Sequence, residues 1–479
     1  MKTLLTVFLL LQVCFLQAQT ALDLQKCRSM ALENSKKMAI AGQQALKANY
    51  DKKVYRANFF PKISAMGMYA YMQKDYSFKI DGGYLPTFVP DASGQLKPNY
   101  LIHPVTGKPV VGADGMPVFN QYAFMPDIAL SLGLDHAYTV GGVLEQPLYM
   151  GGKIRSAFRM ASLGVDMARL NIKYSRAEVI TEVDEAYWQY LKVKELVLSA
   201  SKYKEVVGEL VKNLTDAYQT GMAFRNDLLK AQVKYNEAEL MLQKARHGET
   251  LAGMNLCRII GIDLYSDLQI RDSLQDGLTP GVLEGNPGII GRPEYNLLEK
   301  EIELKRKQVD LTRSDFLPQL GISASYGYTD GITVNGTSDG ISSFMAIASL
   351  KVPVFHWNEG RNKVKAARSE QEISELKKED MVQLMQLEAA RARFNVEDAV
   401  SRVEMTRKSL LQAEENLTVS KNRYEVGMEN LTNYMEAQAQ WQKAWSDWID
   451  AKAELRLSET HYLKAVSYTH LTLPTILRV

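Results

Sequence analysis

The sequence predicts an α+β membrane protein made by internal duplication: a long α-helical coiled-coil barrel continued by a β-barrel to which each chain gives four strands. Three observations predict it. Large and small apolar residues recur every seven positions in two helical hairpins, the seam of a left-handed helix pairing. The second hairpin repeats the first at a constant offset of 206 residues. Four segments between the helices alternate apolar and small polar residues with period two.

Residues 1–18 carry Lys2, an apolar stretch from Leu4 to Leu16 and a small residue at Ala18. This is the pattern of a secretory signal cut after Ala18. A lipoprotein reading through Cys14 is disfavoured, because Gln12 and Val13 stand where small residues are expected. No other apolar stretch reaches the roughly 18 residues that span a bilayer as a helix. An exported chain without a helical anchor is expected.

The first repeat covers residues 19–262. A helix leads to Phe59-Phe60-Pro61 and a strand at 62–72, with Ile63, Ala65, Gly67, Tyr69 and Tyr71 on one face. The Gly/Pro-rich stretch from Asp81 to Asn120 has turn chemistry and little periodicity, which predicts a large surface loop, with a disordered spacer as the alternative. A second strand follows at 128–146, where Ile128, Leu130, Leu132 and Leu134 alternate with Ala129, Ser131, Gly133 and Asp135. The helical hairpin spans 153–260. Its first helix carries Val183, Tyr190 and Val197 interleaved with Ala186, Val193 and Ala200, and its second carries Leu228, Tyr235 and Leu242 interleaved with Ala231, Ala238, Ala245 and Ala252. Between them Tyr218-Gln-Thr-Gly221-Met222 reads as a tight reversal, since glycine accepts the left-handed conformation that ends a helix. A helix from Lys153 to Tyr218 is roughly 100 Å long, at about 1.5 Å per residue.

A Gly-, Pro- and Asp-rich linker at 263–291 leads to the second repeat, 292–466. Here a helix runs into Phe316-Leu317-Pro318, strands are expected at 319–329 and 342–355, and the hairpin spans 360–466. Val396, Val403, Leu410, Leu417 and Tyr424 form one seam, and Tyr434, Trp441 and Trp448 with Ala437, Ala444 and Ala451 the other. Trp441, Trp445 and Trp448 are expected to pack along this seam. Tyr424-Glu-Val-Gly427-Met428 copies the first tip. Helical periodicity stops after Val466, and residues 467–479 are set aside as a non-native tail.

An exported chain crosses an outer membrane only as a closed barrel, because open strand edges leave unpaired backbone groups in lipid. Four strands are too few, since bacterial barrels start at about eight. If the strands are membranous, several chains must share one barrel, and three would bring twelve strands and twelve long helices.

The near-balanced charge, +2 with 23 % charged residues, shows no electrostatic footprint for nucleic acid. Cys27 and Cys257 are too few for a disulfide framework; one bridge or two packed thiols are both open, the thiols preferred. His103, His136, His247, His356 and His461 make no ligand spacing, so no structural metal is expected. Gly151-Gly152-Lys153 is followed by Ile154 where a phosphate loop needs Ser or Thr, and Asp330, Asn335 and Asp339 fit a polar turn better than a calcium loop. Neither a cofactor nor a nucleophile–base pair can be named, so an enzyme is not expected.

The order of these features resembles the TolC-like outer-membrane efflux proteins over residues 20–466: Leu24 to Ala31 with Glu33-Asn34, the Phe-Phe-Pro and Phe-Leu-Pro strand entries, Gln146-Pro-Leu-Tyr-Met-Gly-Gly152-Lys, Arg292-Pro-Glu-Tyr295 and both Tyr-x-x-Gly tips. The resemblance implies a homotrimeric duct in the outer membrane of a Gram-negative cell, extending into the periplasm, with 263–291 in an equatorial belt. Its implied partners are outer-membrane lipid, a periplasmic adaptor (membrane fusion) protein and an inner-membrane pump of RND or ABC type, in efflux or type I secretion. It also implies that Glu436 lines the entrance, that Asn433 replaces a neighbouring acid, and that Tyr424 and Asp227 form a hydrogen bond closing it. Glu429 stands where the family has a basic residue, with Arg225 as a substitute from the other hairpin. Gly221, Met222, Gly427 and Met428 are the implied adaptor contacts. The competing readings are a periplasmic adaptor, which carries typically one hairpin, and a soluble coiled-coil scaffold.

Overall fold

The computed structural model describes residues 22–270, 272–275, 277–279, 282–283 and 288–466. The expected signal over 1–18, Cys14 with it, and the tail at 467–479 lie outside the described residues.

Two units emerge. The helical unit contains α1 (Leu24–Asn34), α2 (Lys36–Ala57), α3 (Lys153–Gln219), α4 (Arg225–Ile260), α5 (Pro293–Ser314), α6 (Glu359–Glu425) and α7 (Leu431–Ala465). The duplication is visible in lengths: α2 and α5 have 22 residues each, and α3 and α6 have 67 each. The seven-residue seams are the core. Val183, Ala186, Val207, Ala231 and Ala238 are buried in the first hairpin, and Val396, Val403, Ala437 and Ala451 in the second. Trp441 is buried, with Trp445 and Trp448 packed against the same cluster as Tyr203, Val207 and Leu410.

The single helix expected at the start of the first repeat is two. α1 ends at Asn34, and Ser35 adopts an extended ψ of 125°. The cause is tertiary: the Asn34 amide donates to the Ile260 carbonyl at 3.0 Å, satisfying an open end of α4 that lies 226 residues away. Cys27 and Cys257 are free and buried in the cluster beside this break, so the bridge left open by the sequence is absent.

The strand unit contains β1 (Lys62–Ala70), β2 (Tyr76–Ile80), β3 (Gly83–Pro86), β4 (Phe88–Pro90), β5 (Leu96–Pro98), β6 (Tyr122–Met125), β7 (Ile128–Met150), β8 (Gln319–Val334) and β9 (Ile341–Lys351). Four strands pair antiparallel in the order β1-β7-β8-β9, and β2 shares the β1 edge of β7. β7 and β8 run longer than their alternation suggests, whereas β9 stops at Lys351, short of Pro353, which lacks the N–H that a ladder needs. A bulge interrupts β7 between Leu134 and Tyr138, with His136 at φ 51°. Gly331 faces it at φ 81°, where a Cβ would meet the Ala137 Cα at 2.6 Å, so only glycine fits.

The stretch from Asp81 to Asn120 lies at the surface as expected of an inserted loop, but it carries short ladders of its own and is not a disordered spacer. β3 pairs β6, β4 pairs β5, and further ladders join Leu101 to Val118 and Val110 to Leu101. Three reversals, at Gly94, Gly107 and Gly115, all place glycine at positive φ. Strands of three or four residues are too short to show a period, so only their turns are legible in the sequence.

Candidate functional site at the hairpin tips

Both tips close by the same backbone device. The Met222 N–H donates to the Ala217 carbonyl at 2.8 Å, and the Gly221 N–H to Tyr218 at 3.0 Å. In the second hairpin Met428 donates to Arg423 at 2.8 Å and Gly427 to Tyr424 at 3.0 Å. This six-to-one closure needs a left-handed residue, supplied by Gly221 at φ 79° and Gly427 at φ 75°. It leaves Met222 83 % and Met428 74 % exposed.

The next helix starts differently in the two copies. Asn430 caps α7, its Oδ1 accepting the Asn433 N–H at 2.9 Å. The residue 206 positions earlier is Phe224, which caps α4 without a side-chain bond and is 80 % exposed. Sequence reasoning missed Phe224. Its signal was a large apolar residue at a helix start where Ser, Thr, Asp or Asn is preferred.

Behind the reversals the hairpins share a core of Leu210, Leu214, Leu228, Ala231, Leu431 and Tyr434. Tyr424 stacks on Tyr434 with ring centroids 5.2 Å apart and planes 20° from parallel. Burial pushes the Tyr424 phenol above its ordinary pKa, and the nearby Asp227 charge adds to the effect. Among the described residues no hydrogen bond joins Tyr424 to Asp227; Asp227 pairs with Lys230 at 3.5 Å, one turn along its own helix.

Glu436 is exposed on α7, and its carboxylate accepts from the Gln440 amide at 3.2 Å. Asn433 is exposed one turn before it. Glu429 is half-buried and Arg225 exposed, and neither forms an ion pair among the described residues, so Arg225 does not replace the missing base within one chain. The two tips differ in chemistry despite the duplication, because Lys230 occupies the position equivalent to Glu436 and Asp227 that equivalent to Asn433.

A second polar cluster, unforeseen from sequence, ties the linker to mid-helix. Lys452 pairs with Glu195 at 2.6 Å and lies 3.9 Å from the Trp448 ring centroid. Arg456 donates to the Gly277 carbonyl and pairs with Glu459, whose carboxylate accepts from the Thr279 N–H and hydroxyl. Tyr187 donates to Asp272 at 2.5 Å, and Arg28 holds Asp184 through two bonds. The linker carbonyls of Leu274 and Gly277 and the N–H and hydroxyl of Thr279 meet the buried charges of Lys452, Arg456 and Glu459, which makes the cluster a fastening. No cluster of His, Cys, Asp and Glu placed for a metal occurs among the described residues, and no described helix is long and apolar enough to cross a membrane. The oxygens of Asp330 and Asn335 accept backbone N–H groups of Gly331 and Ser131.

Comparison with known proteins places this geometry. The family model described as "Outer membrane efflux protein" matches residues 118–261 and 291–463. The alkaline protease secretion protein AprF of Pseudomonas aeruginosa is 26 % identical over 251 residues, covering 50 % of each chain. The outer membrane protein OprJ of the same organism is 24 % identical over 311 residues, 63 % of this chain and 64 % of its own. The chain thus spans about half to two thirds of these curated relatives. The crystal structure of the Campylobacter jejuni CmeC outer membrane channel superposes with a TM-score of 0.67 at 16 % identity, over 92 % of this chain and 85 % of that one, a likeness of fold.

Proposed function

The chain belongs to the outer membrane efflux protein family, and from that premise we propose that it is the outer-membrane exit duct of a tripartite efflux or type I secretion system. Three copies share one barrel, each giving β1, β7, β8 and β9, with β9 of one copy pairing β1 of the next. The observation that carries this reading is the state of the two edges. Among the described residues β1 pairs only β7 and β9 pairs only β8, and nearly every residue of both edge strands is exposed. Unpaired backbone groups in hydrocarbon cost several kcal/mol each, so such a sheet needs neighbours. The helical unit also leaves apolar side chains for neighbours, since α2 exposes Ile40, Tyr50 and Val54 and α6 exposes Leu387, Phe394 and Met405.

In the assembled duct the tips meet a periplasmic adaptor through Gly221, Met222, Gly427 and Met428, to which Phe224 is added, and an inner-membrane pump of RND or ABC type loads the cargo. Three Glu436 side chains, flanked by Asn433, form an acidic ring that attracts cations at the entrance. Tyr424 with Asp227, and Arg225 with Glu429, find closing partners only between copies. Cargo crosses by diffusion, and no bond is made or broken.

Residues 22–466 reconstituted in a planar bilayer test this. Cation-preferring channels are expected, with the preference lowered about two- to fivefold by Glu436→Gln. Channels indifferent to the substitution keep the duct and remove Glu436 as its filter. No channels, from a protein that stays soluble without detergent, would replace the duct with a periplasmic adaptor or scaffold.

A further inference from the structure

Charge is distributed along the helices in a way that the entrance chemistry leaves unused. The eleven residues of each helix nearest the strands in the chain, 47–57, 153–163, 304–314 and 359–369, hold fifteen Lys and Arg against three Asp and Glu, a formal +12. The eleven nearest each tip, 209–219, 225–235, 415–425 and 431–441, hold six of each sign. With the whole chain at +2, the excess is local.

Within the helical unit the fold brings these ends together in two pairs, α2 with α3 and α5 with α6. Lys52 of α2 lies 5.7 Å from the Phe158 ring centroid of α3, and Lys305 of α5 pairs with Glu370 of α6 at 3.4 Å. Arg306 and Arg368 line one open groove of about 370 Å³ together with Asp310, Glu372 and Glu375, so most of the uncompensated charge lies elsewhere on these ends. Much of this charge is unneutralised: Arg56, Arg155, Arg159, Arg361, Lys365 and Arg368 are exposed and form no ion pair among the described residues. Large exposed aromatics flank them in the chain. Phe59 and Phe60 follow α2, and Phe355 and Trp357 precede α6, with Trp357 85 % exposed. Cations close in sequence to exposed aromatic residues are the composition of a membrane–water boundary, where guanidinium and ammonium groups meet phosphate. A water-filled lining gains nothing from exposed Phe and Trp, which favours the boundary over the duct interior.

We propose that these cations form a collar that binds the phosphate headgroups of anionic phospholipid in the leaflet bordering the helical unit, an inference that rests on the outer-membrane reading. The collar fixes the depth of the assembly by charge, where the strands fix it by hydrophobic height.

The test reconstitutes residues 22–466 into phosphatidylcholine vesicles and measures the relative association of spin-labelled phosphatidylglycerol and phosphatidylcholine, with channel conductance recorded in pure phosphatidylcholine. A preference of about threefold or more for phosphatidylglycerol is expected, falling to near unity in a variant with Arg56, Arg155, Arg159, Arg361, Lys365 and Arg368 all changed to Gln. Conductance in phosphatidylcholine is expected to stay unchanged in that variant, which also shows that it folds. No preference in the parent, or a preference that survives the substitutions, overturns the collar. Preference abolished by inorganic phosphate at constant ionic strength overturns it in favour of a free-anion site. Altered ion selectivity with unaltered lipid preference overturns it by placing the charges in the duct. Absence of channels in phosphatidylcholine indicts the duct reading itself, a different failure from any of these.

Discussion

At mid-helix, α3 and α7 take Lys452, Arg456 and Glu459 to 5 % exposure or less and give each a partner on the linker or on a facing helix. At the tips the same hairpin architecture leaves Met222, Phe224 and Met428 more than 70 % exposed, against a small core whose polar contribution is one stacked tyrosine pair. The belt resembles a finished interior, with its charges satisfied and its thiols inert. The tips resemble one half of an interface, with apolar side chains in water and charges without partners. The difference teaches where this molecule is complete by itself and where it waits for another.

If the belt is a fastening, breaking it should cost most. Arg456→Ala leaves Glu459 buried without its cation, and a loss of about 3–5 kcal/mol is expected, read from denaturant unfolding of the purified protein. A loss below about 1 kcal/mol would place Arg456 on the surface in energetic terms.

The thiols provide the next contrast. Burial pushes the Cys27 thiol up to about 12, with the Asp23 and Asp272 charges adding to it, and burial raises Cys257 as well. At pH 8 the thiolate fraction at Cys27 is then of order 10⁻⁴. Alkylation of residues 22–466 should be negligible in the native state and reach both cysteines after denaturation. The sign with pH follows. Below about 9 both folded and unfolded thiols keep their protons; above it the unfolded thiol ionises first, so this stabilisation erodes as pH rises from about 9 toward 12. Rapid native labelling at pH 8 would show an open belt.

Smaller effects separate the two tips. Tyr434→Leu installs the residue found at the equivalent Leu228, and a double-mutant cycle with Tyr424→Leu should return a coupling of about 0.5–1.5 kcal/mol for the stack. Phe224→Asn copies Asn430 into the first tip. It should stabilise α4 by about 0.5–1 kcal/mol through the new cap while weakening capture by the proposed adaptor. Stability and binding moving together would mean that Phe224 serves the fold.

Much of this was legible in the sequence wherever a period was long enough to count. The seams from Val183 to Ala252 and from Val396 to Ala451 fixed both hairpins within a residue or two, and alternation fixed the starts of all four long strands. What stayed hidden has two causes, a partner distant in the chain and a ladder too short to show a period. Asn34 breaks its helix to cap α4, Arg456 is an unremarked charge on a helical face until the linker arrives, and the ladders of the 81–120 insertion are too short for a pattern. At the tips the glycines were predictable from turn chemistry, while the Tyr424–Tyr434 stack required knowing how α6 and α7 face one another across the tip of one hairpin.

The most direct test of the central claim, that the strand unit is completed only by other copies, is the native mass of residues 22–466 purified in detergent. A single species of three chains is predicted, dissociating only when its β-structure melts. A stable monomer that keeps its strands and stays soluble after the detergent is withdrawn would contradict it.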